Sequence, residues 1–257
     1  MKPNGEKEAD SNAEVVESGA KTGISKAETL SGYCVLAPEH PWHGPYHDLE
    51  YGFPTSDDRV LFERLTLEIA QAGLSWLTVL KKRAAFRAAF DQFAIDRVAA
   101  YGEDERQRLL ADPGIIRNRL KIDAIIENAR RLQIIRSESG SFAQWLTDAQ
   151  WLAEGQWLTE GQHTPHKQRI DRRVGNSGVG SRRLRERSEW VTLFRRHFRF
   201  VGGEIVGEFL MSVGLLPGAH CSQCPVFERI KAASPPWLAA QRHREAVCAV
   251  DQDAQTK

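Results

Sequence analysis

The sequence predicts an all-α fold, and three observations carry that expectation. Apolar residues recur at helical spacing in one segment after another, no run alternates convincingly at period two, and Gly and Pro fall mostly between the periodic segments. With 257 residues, 41% hydrophobic and 27% charged, the chain can bury one sizeable core or two small ones without disulfides. No apolar run approaches the roughly 20 residues that cross a bilayer. The N-terminus lacks the apolar stretch of a secretory signal, so the sequence reads as intracellular and cytoplasmic, with no membrane partner.

Residues 1–30 hold four Lys, six Asp/Glu and few bulky apolar side chains, and are expected to form a disordered arm. From Gly32 to Asp58 the chain is too rich in Pro and Gly for a long helix, and reads as an ordered loop held by something other than its own backbone bonds. Asp57 and Asp58 offer N-caps to a helix striped by Leu61, Leu65 and Ala72, which breaks near Gly73. A second helix starts at Ser75 and buries Trp76, Val79, Leu80, Phe86 and Phe90. The segments EDERQRLLADP, GIIRNR and LKIDAIIENARRLQII read as helix, tight turn and helix. Pro113 and Gly114 stop the first, and Ile122, Ile125, Ile126, Ala129 and Leu132 stripe the second. Residues 155–187 have no periodicity and are expected to form a flexible insertion. A last core helix, EIVGEFLMSVG, follows Gly202 and Gly203. The expected organisation is an arm over 1–30, one domain over 31–228 and a peripheral tail over 229–257.

The net charge of +1 argues for no partner, but residues 165–199 hold eleven Lys/Arg against three Asp/Glu. A polyanion would be drawn there; the competing explanation is a solvated arginine-rich loop. The stretch LLADPGIIRNRLKI has the parts of a helix-hairpin-helix: Gly114 for close backbone approach, two isoleucines to anchor the turn, then Arg117, Arg119 and Lys121. Such a turn aims backbone N–H groups at a phosphate without reading sequence. Ordinary helical hairpins share these features.

Cys34 and His47 near the N-terminus, with His220 and Cys224 after the last core helix, could form a closed Cys2His2 zinc site. Cys221 and Cys224 form a CxxC, which leaves a Cys3His set or a redox pair open, and a lone Cys is usually a small core hydrophobe. Cys248 has no partner nearby in sequence. Glu68 shares a helical face with Leu61, Leu65 and Ala72, so its carboxylate points inward. Either an arginine pairs it, or it forms the floor of a pocket for a cationic or hydrogen-bond-donating ligand. Tyr46 and Trp76 could stack a planar cation beside it.

These residues lie in stretches that resemble the DNA-3-methyladenine glycosylase I family, a divergent branch of the helix-hairpin-helix glycosylases. The stretches are YHDLEYGFP (46–54), LEIAQAGLSWLTVLKKR (67–83), DPGIIRNRLKIDAIIENA (112–129), FRFVGGEIVGEFLMSVGLLPGAH (198–220) and Cys224, covering about 200 residues in collinear order. The resemblance implies an all-α, helix-hairpin-helix glycosylase-like fold in which one structural zinc joins the N- and C-terminal segments. The ligands it implies are Cys34, His47, His220 and Cys224. It also implies excision of 3-methyladenine from double-stranded DNA carrying alkylated purines, by a monomer associated with the nucleoid when on DNA.

By the same resemblance Glu68, Tyr46 and Trp76 are the catalytic pocket, and Gly73 and Leu74 fill the gap left by the flipped nucleotide. Gly114, Arg117, Asn118, Arg119 and Lys121 grip the backbone. No clear counterpart of the wider superfamily's catalytic aspartate or lysine is present, so hydrolysis without strand cleavage is expected. Leu36 and His43 stand where family members often carry aromatics. Glu204 and Glu208 stand in a helix where better-known members carry threonine and tyrosine. The alternative from another class is a non-catalytic, zinc-stabilised helix-hairpin-helix DNA-binding protein. A zinc deaminase lacks its HxE and PCxxC elements, and a CxxC oxidoreductase lacks βαβ surroundings.

Overall fold

The computed structural model describes residues 32–153, 182–239 and 241–242. The arm expected over 1–30, most of the insertion and most of the tail, Cys248 included, lie outside the described residues. Eleven α-helices are described: α1 (Tyr33–Leu36), α2 (His43–Leu49), α3 (Asp58–Gln71), α4 (Trp76–Ala89), α5 (Ile95–Ala99), α6 (Glu103–Ala111), α7 (Arg119–Ser139), α8 (Phe142–Ala149), α9 (Arg187–His197), α10 (Gly203–Ser212) and α11 (Pro225–Ala232).

The centre is α3. Every residue from Leu61 to Ala70 is buried, so this helix is packed on all sides. Asp57 caps it by accepting from the Arg59 N–H at 2.8 Å. Asp58 works at a distance: its carboxylate accepts the first N–H groups of α8, from Phe142 and Ala143, both at 3.0 Å. Those amides have no intrahelical acceptor, and the carboxylate lies where the helix dipole favours negative charge. Around α3 the core is aromatic, with Phe62, Phe86, Phe90, Phe93, Phe142, Trp190, Phe194 and Phe209 all fully buried.

Glu63 and Arg64 are buried too, and they are paired. Arg83 of α4 donates to Glu63 at 2.6 Å and forks onto Glu50 at 2.7 and 2.6 Å, while Arg87 donates to Glu63 at 2.8 Å. Three segments are thereby clamped: the end of α2, α3 and α4. A buried charge in such a network is tolerable only while its partners remain.

Four features differ from the sequence expectation. The stretch expected as a loop holds the short helices α1 and α2, each starting without a side-chain cap. Helices α5, α8, α9 and α11 were not anticipated. The antiparallel pair β1 (Trp151–Ala153) and β2 (Arg182–Leu184) frames residues 154–181, so the insertion ends before 182 and the chain is not wholly helical. The tail does not begin at 229, because α11 runs through that position and buries Ile230. Beyond it, Trp237 stacks on Phe227 and donates its N–H to the Gly214 carbonyl.

Candidate active site

Helix α3 stops at Gln71, and Gly73, at φ +78°, takes the left-handed conformation that turns the chain into α4. Ser75 caps α4 by accepting from the Thr78 N–H at 3.2 Å. This tight reversal places Trp76, the first residue of α4, at the mouth of a cavity floored by Glu68. Tyr46 arrives from α2. The cavity, about 320 Å³, is lined by Tyr33, Tyr46, Tyr51, Glu68, Gln71, Trp76 and Glu208. The three residues expected as the pocket are thus brought together.

Tyr46 and Trp76 have ring centroids 5.1 Å apart at 60°, so they are not parallel plates. A planar guest stacked on one would meet the other edge-on. Burial and the nearby Glu68 push the Tyr46 hydroxyl well above its ordinary value, which keeps it neutral. Sequence reasoning missed Tyr33, Tyr51 and Gln71. Gln71 follows Glu68 by one helical turn and shares its face. Tyr51 closes the YHDLEYG segment, and Tyr33 sits beside His43, its hydroxyl 3.0 Å from His43 Nδ1. Thus His43, at a departure from the family pattern, supports a tyrosine that enters from α1. Leu36 and Glu204 lie outside the pocket: Leu36 is exposed, and Glu204 pairs with Arg187 at 3.1 Å on the surface.

Glu68 is only 5% exposed. The arginine that could have neutralised it, Arg64, instead donates to the Ser212 carbonyl and lies 3.8 Å from Glu50. Burial first, then the neighbouring Glu208, pushes the Glu68 carboxyl up to about 8, with Arg64 pulling the other way. Its surroundings therefore favour the protonated form of Glu68. No lysine or arginine lines the cavity.

Cys34, His47, His220 and Cys224 are all buried, with ligand atoms within 4.8 Å of one another. Two facts show that this set fits a metal. First, the imidazole orientations are fixed. His220 Nε2 lies 2.9 Å from the Tyr51 carbonyl, which can only accept, so Nε2 carries the proton and Nδ1 offers its lone pair toward the sulfurs. His47 Nδ1 lies 2.7 Å from the Asp48 carboxylate, which frees Nε2 in the same way. Second, the nitrogen–sulfur separations are 3.7 Å for Cys34–His220, 3.3 Å for His220–Cys224 and 3.7 Å for His47–Cys224. A tetrahedral ion with ordinary ligand distances sets such edges at about 3.6 Å. Burial pushes His220 down to about 4, keeping it neutral, and the Cys34 thiol up to about 12, a cost that a cation removes. Cys221 is half-buried and outside the set.

The α6–α7 turn has the expected residues in unexpected roles. Asp112 accepts the Gly114 N–H at 2.7 Å, and a Cβ at Gly114 would come within 3.0 Å of the Ala85 Cβ, so this glycine allows the turn to lie against α4. Asn118 caps α7 by accepting from the Lys121 N–H at 3.1 Å. Arg117 and Arg119 are exposed. Lys121 does not face solvent, contrary to expectation. Its ammonium donates to the carbonyls of Ala70 at 2.8 Å and Ala72 at 2.6 Å, closing the C-terminus of α3. It thereby ties the hairpin to the turn carrying Gly73 and the 43% exposed Leu74. Lys121→Met should cost about 2 kcal/mol and lower the thermal midpoint by roughly 5 °C. It should leave the salt dependence of DNA binding unchanged, whereas Arg117→Ala should reduce that slope by about one; parallel melting and binding titrations check both.

A family model described as methyladenine glycosylase matches residues 37–228. The chain belongs to that family. It is 36% identical over 183 residues to DNA-3-methyladenine glycosylase 1 of Escherichia coli (strain K12), covering 71% of this chain and 90% of that protein. It is 31% identical over 191 residues to the DNA-3-methyladenine glycosylase of Haemophilus influenzae, covering 72% and 95%. Among solved structures, a variant of 3-methyladenine DNA glycosylase I in complex with 3-methyladenine superposes with a TM-score of 0.57 at 30% identity, covering 76% of this chain and 96% of that one. The matched span includes the Tyr46–Trp76 pocket, the α6–α7 turn and three of the four cluster residues, with Cys34 just outside it. No described helix is long and apolar enough to cross a membrane.

Proposed function

We propose that this chain is a monofunctional DNA glycosylase that hydrolyses the N-glycosidic bond of 3-methyladenine in alkylated double-stranded DNA. The observation that carries the reading is Glu68 itself: an internal carboxyl with no arginine bonded to it, on the floor of a ring-lined cavity that contains no lysine or arginine. Such a floor suits a flat, electron-poor base. Reaching it requires the nucleotide to leave the stack, with Leu74 entering the gap at the Gly73 turn and Arg117, Arg119 and the start of α7 holding the phosphates. Stacking on one of Trp76 and Tyr46, with the other meeting the base edge-on, contributes roughly 1–3 kcal/mol.

Methylation at N3 makes the nucleobase cationic, so its glycosidic bond breaks with both electrons passing to N9 and the base departs neutral. Water forms the new bond at C1′ and gives up its proton. The protein need not protonate the leaving group; Glu68 positions the base and its carboxylate favours the cation. The cluster of Cys34, His47, His220 and Cys224 would hold one structural zinc per chain, which supplies cross-linking and no chemistry to the reaction. One chain acting as a monomer inside the cell suffices.

Alkylated duplex DNA incubated with the protein should release 3-methyladenine, while strand breaks appear only after alkali. Salt-sensitive binding without base release would instead identify a non-catalytic DNA-binding module.

A further inference from the structure

We propose that Glu208 is a second base-recognition acid of this pocket, whose charge, together with Glu68, selects a positively charged purine over a neutral one. The inference rests on the pocket being the base site proposed above.

Glu208 lies on α10, across the cavity from α3, and lines the same space as Glu68. It is partly exposed through the cavity mouth, and it is fixed: the Tyr51 hydroxyl donates to its Oε2 at 3.1 Å. Tyr51 is in turn held by the metal-site segment, because its carbonyl accepts His220 Nε2. The carboxylate is therefore aimed by the scaffold and is not a loose surface group. Glu204, one turn earlier, shows the contrast: it faces outward and pairs with Arg187.

The groups facing Glu68 from every packed element are Tyr33 of α1, Tyr46 of α2, Tyr51, Arg64 and Gln71 of α3, Trp76 of α4 and Glu208. Two carboxyls and no bonded cation occupy this set, since Arg64 is engaged with Ser212 and Glu50. Burial, and the neighbouring Glu208 second, push the Glu68 carboxyl up and favour its protonated form. A cationic guest reverses that preference and displaces the proton from Glu68. Cation affinity should therefore rise with pH until Glu68 is ionised and level off above it. A neutral guest takes the protonated Glu68 as it stands, so its affinity should be level at low pH and fall as Glu68 ionises.

The test compares wild type, Glu208→Gln and Glu208→Asp. Binding of a 3,9-dialkylated adeninium, cationic throughout, and of neutral adenine is followed by Trp fluorescence from pH 5 to 9, alongside release of 3-methyladenine from alkylated DNA. Glu208→Gln should lower the preference for the cation by roughly tenfold or more at pH 8. It should also move the midpoint of the cation pH profile to lower pH, because Glu68 loses the neighbour that holds its proton. Glu208→Asp keeps the charge and should keep most of the preference, which separates a charge effect from a folding defect. An unchanged preference and midpoint in Glu208→Gln, with wild type binding the base normally, would overturn the proposal. Failure of the wild type to release 3-methyladenine at all would instead overturn the reading of the site.

Discussion

Replacing Glu68 by Gln should slow release of 3-methyladenine by on the order of 10²-fold and, at the same time, make the protein harder to melt at alkaline pH. Both effects have one cause. The carboxyl is buried without an arginine bonded to it, and its ionised form is disfavoured until a cation arrives. Gln has nearly the same shape and retains a hydrogen-bonding end, but it carries no charge that can favour the methylated base. For stability the sign follows from linkage. Glu68 in the fold is pushed up to about 8, above the roughly 4.3 of an unfolded chain. Between those values the native state binds more protons than the unfolded state, so stability falls as pH rises through this window. Gln does not titrate, so its variant escapes the penalty. The expected gain is on the order of 5 kcal/mol at pH 8 and little at pH 4, read as a difference in thermal midpoints of roughly 10 °C or more. A variant that releases the base at the wild-type rate would remove the role given to this carboxylate. A variant no more stable than wild type at pH 8 would show that Glu68 is solvated in solution.

The sequence made the long helices legible because each of α3, α4, α7 and α10 presents an apolar face over several turns and carries a recognisable stop or start. Asp57, Ser75 and Asn118 are caps whose side chains accept from backbone N–H groups in the structure. The shorter helices were hidden for identifiable reasons. Within α9 only Trp190 and Phe194 are buried, one turn apart, and arginines around them mask the period. Helix α8 has a local start signal that sequence reasoning missed, Ser141, which accepts from the Gln144 N–H at 2.9 Å, and it is completed by Asp58, a carboxylate more than eighty residues earlier. Lys121 misled for a similar reason. Among Arg117 and Arg119 it looks like one more phosphate contact, and only the fold shows two backbone carbonyls waiting for it. Tyr33 and Tyr51 reach the pocket through the arrangement of α1 and of the turn after α2 around the cysteine–histidine cluster, which is a tertiary fact. The Glu68 face, the rings beside it and the four cluster residues were legible as types and spacings, and the fold brings each set together.

Cys224→Ser should be the most damaging substitution to the fold, because the cluster does more than join two chain ends. Around Cys34 and Cys224 the packed apolar group is small: Val226 and Ile230, with Phe53, Phe227 and Trp237 at its edge. So little buried surface leaves this end of the short helices α1 and α2 held mainly by the cluster, while Tyr46, Tyr51 and Leu80 packing and the Glu50–Arg83 pair hold the other side of α2. Yet those helices deliver Tyr33, immediately before Cys34, and Tyr46, immediately before His47, to the wall of the base pocket. The His220 contact to the Tyr51 carbonyl ties a third pocket tyrosine to the same point. Losing one ligand leaves a buried thiol and two imidazoles without the cation that compensates them. The expected cost is on the order of 3–5 kcal/mol, seen as a fall of roughly 10 °C in thermal midpoint together with loss of stoichiometric zinc by elemental analysis. Base affinity should fall with it, because the tyrosine wall depends on the cluster, whereas α3, α4 and α7 have their own core and should keep their helical signal well below the new midpoint. Prolonged chelation of the wild type should reproduce both losses, and returning zinc should reverse them. If the variant kept its midpoint and its base affinity, the cluster would be ordinary packing and the pocket would owe its shape to the Arg83 network instead.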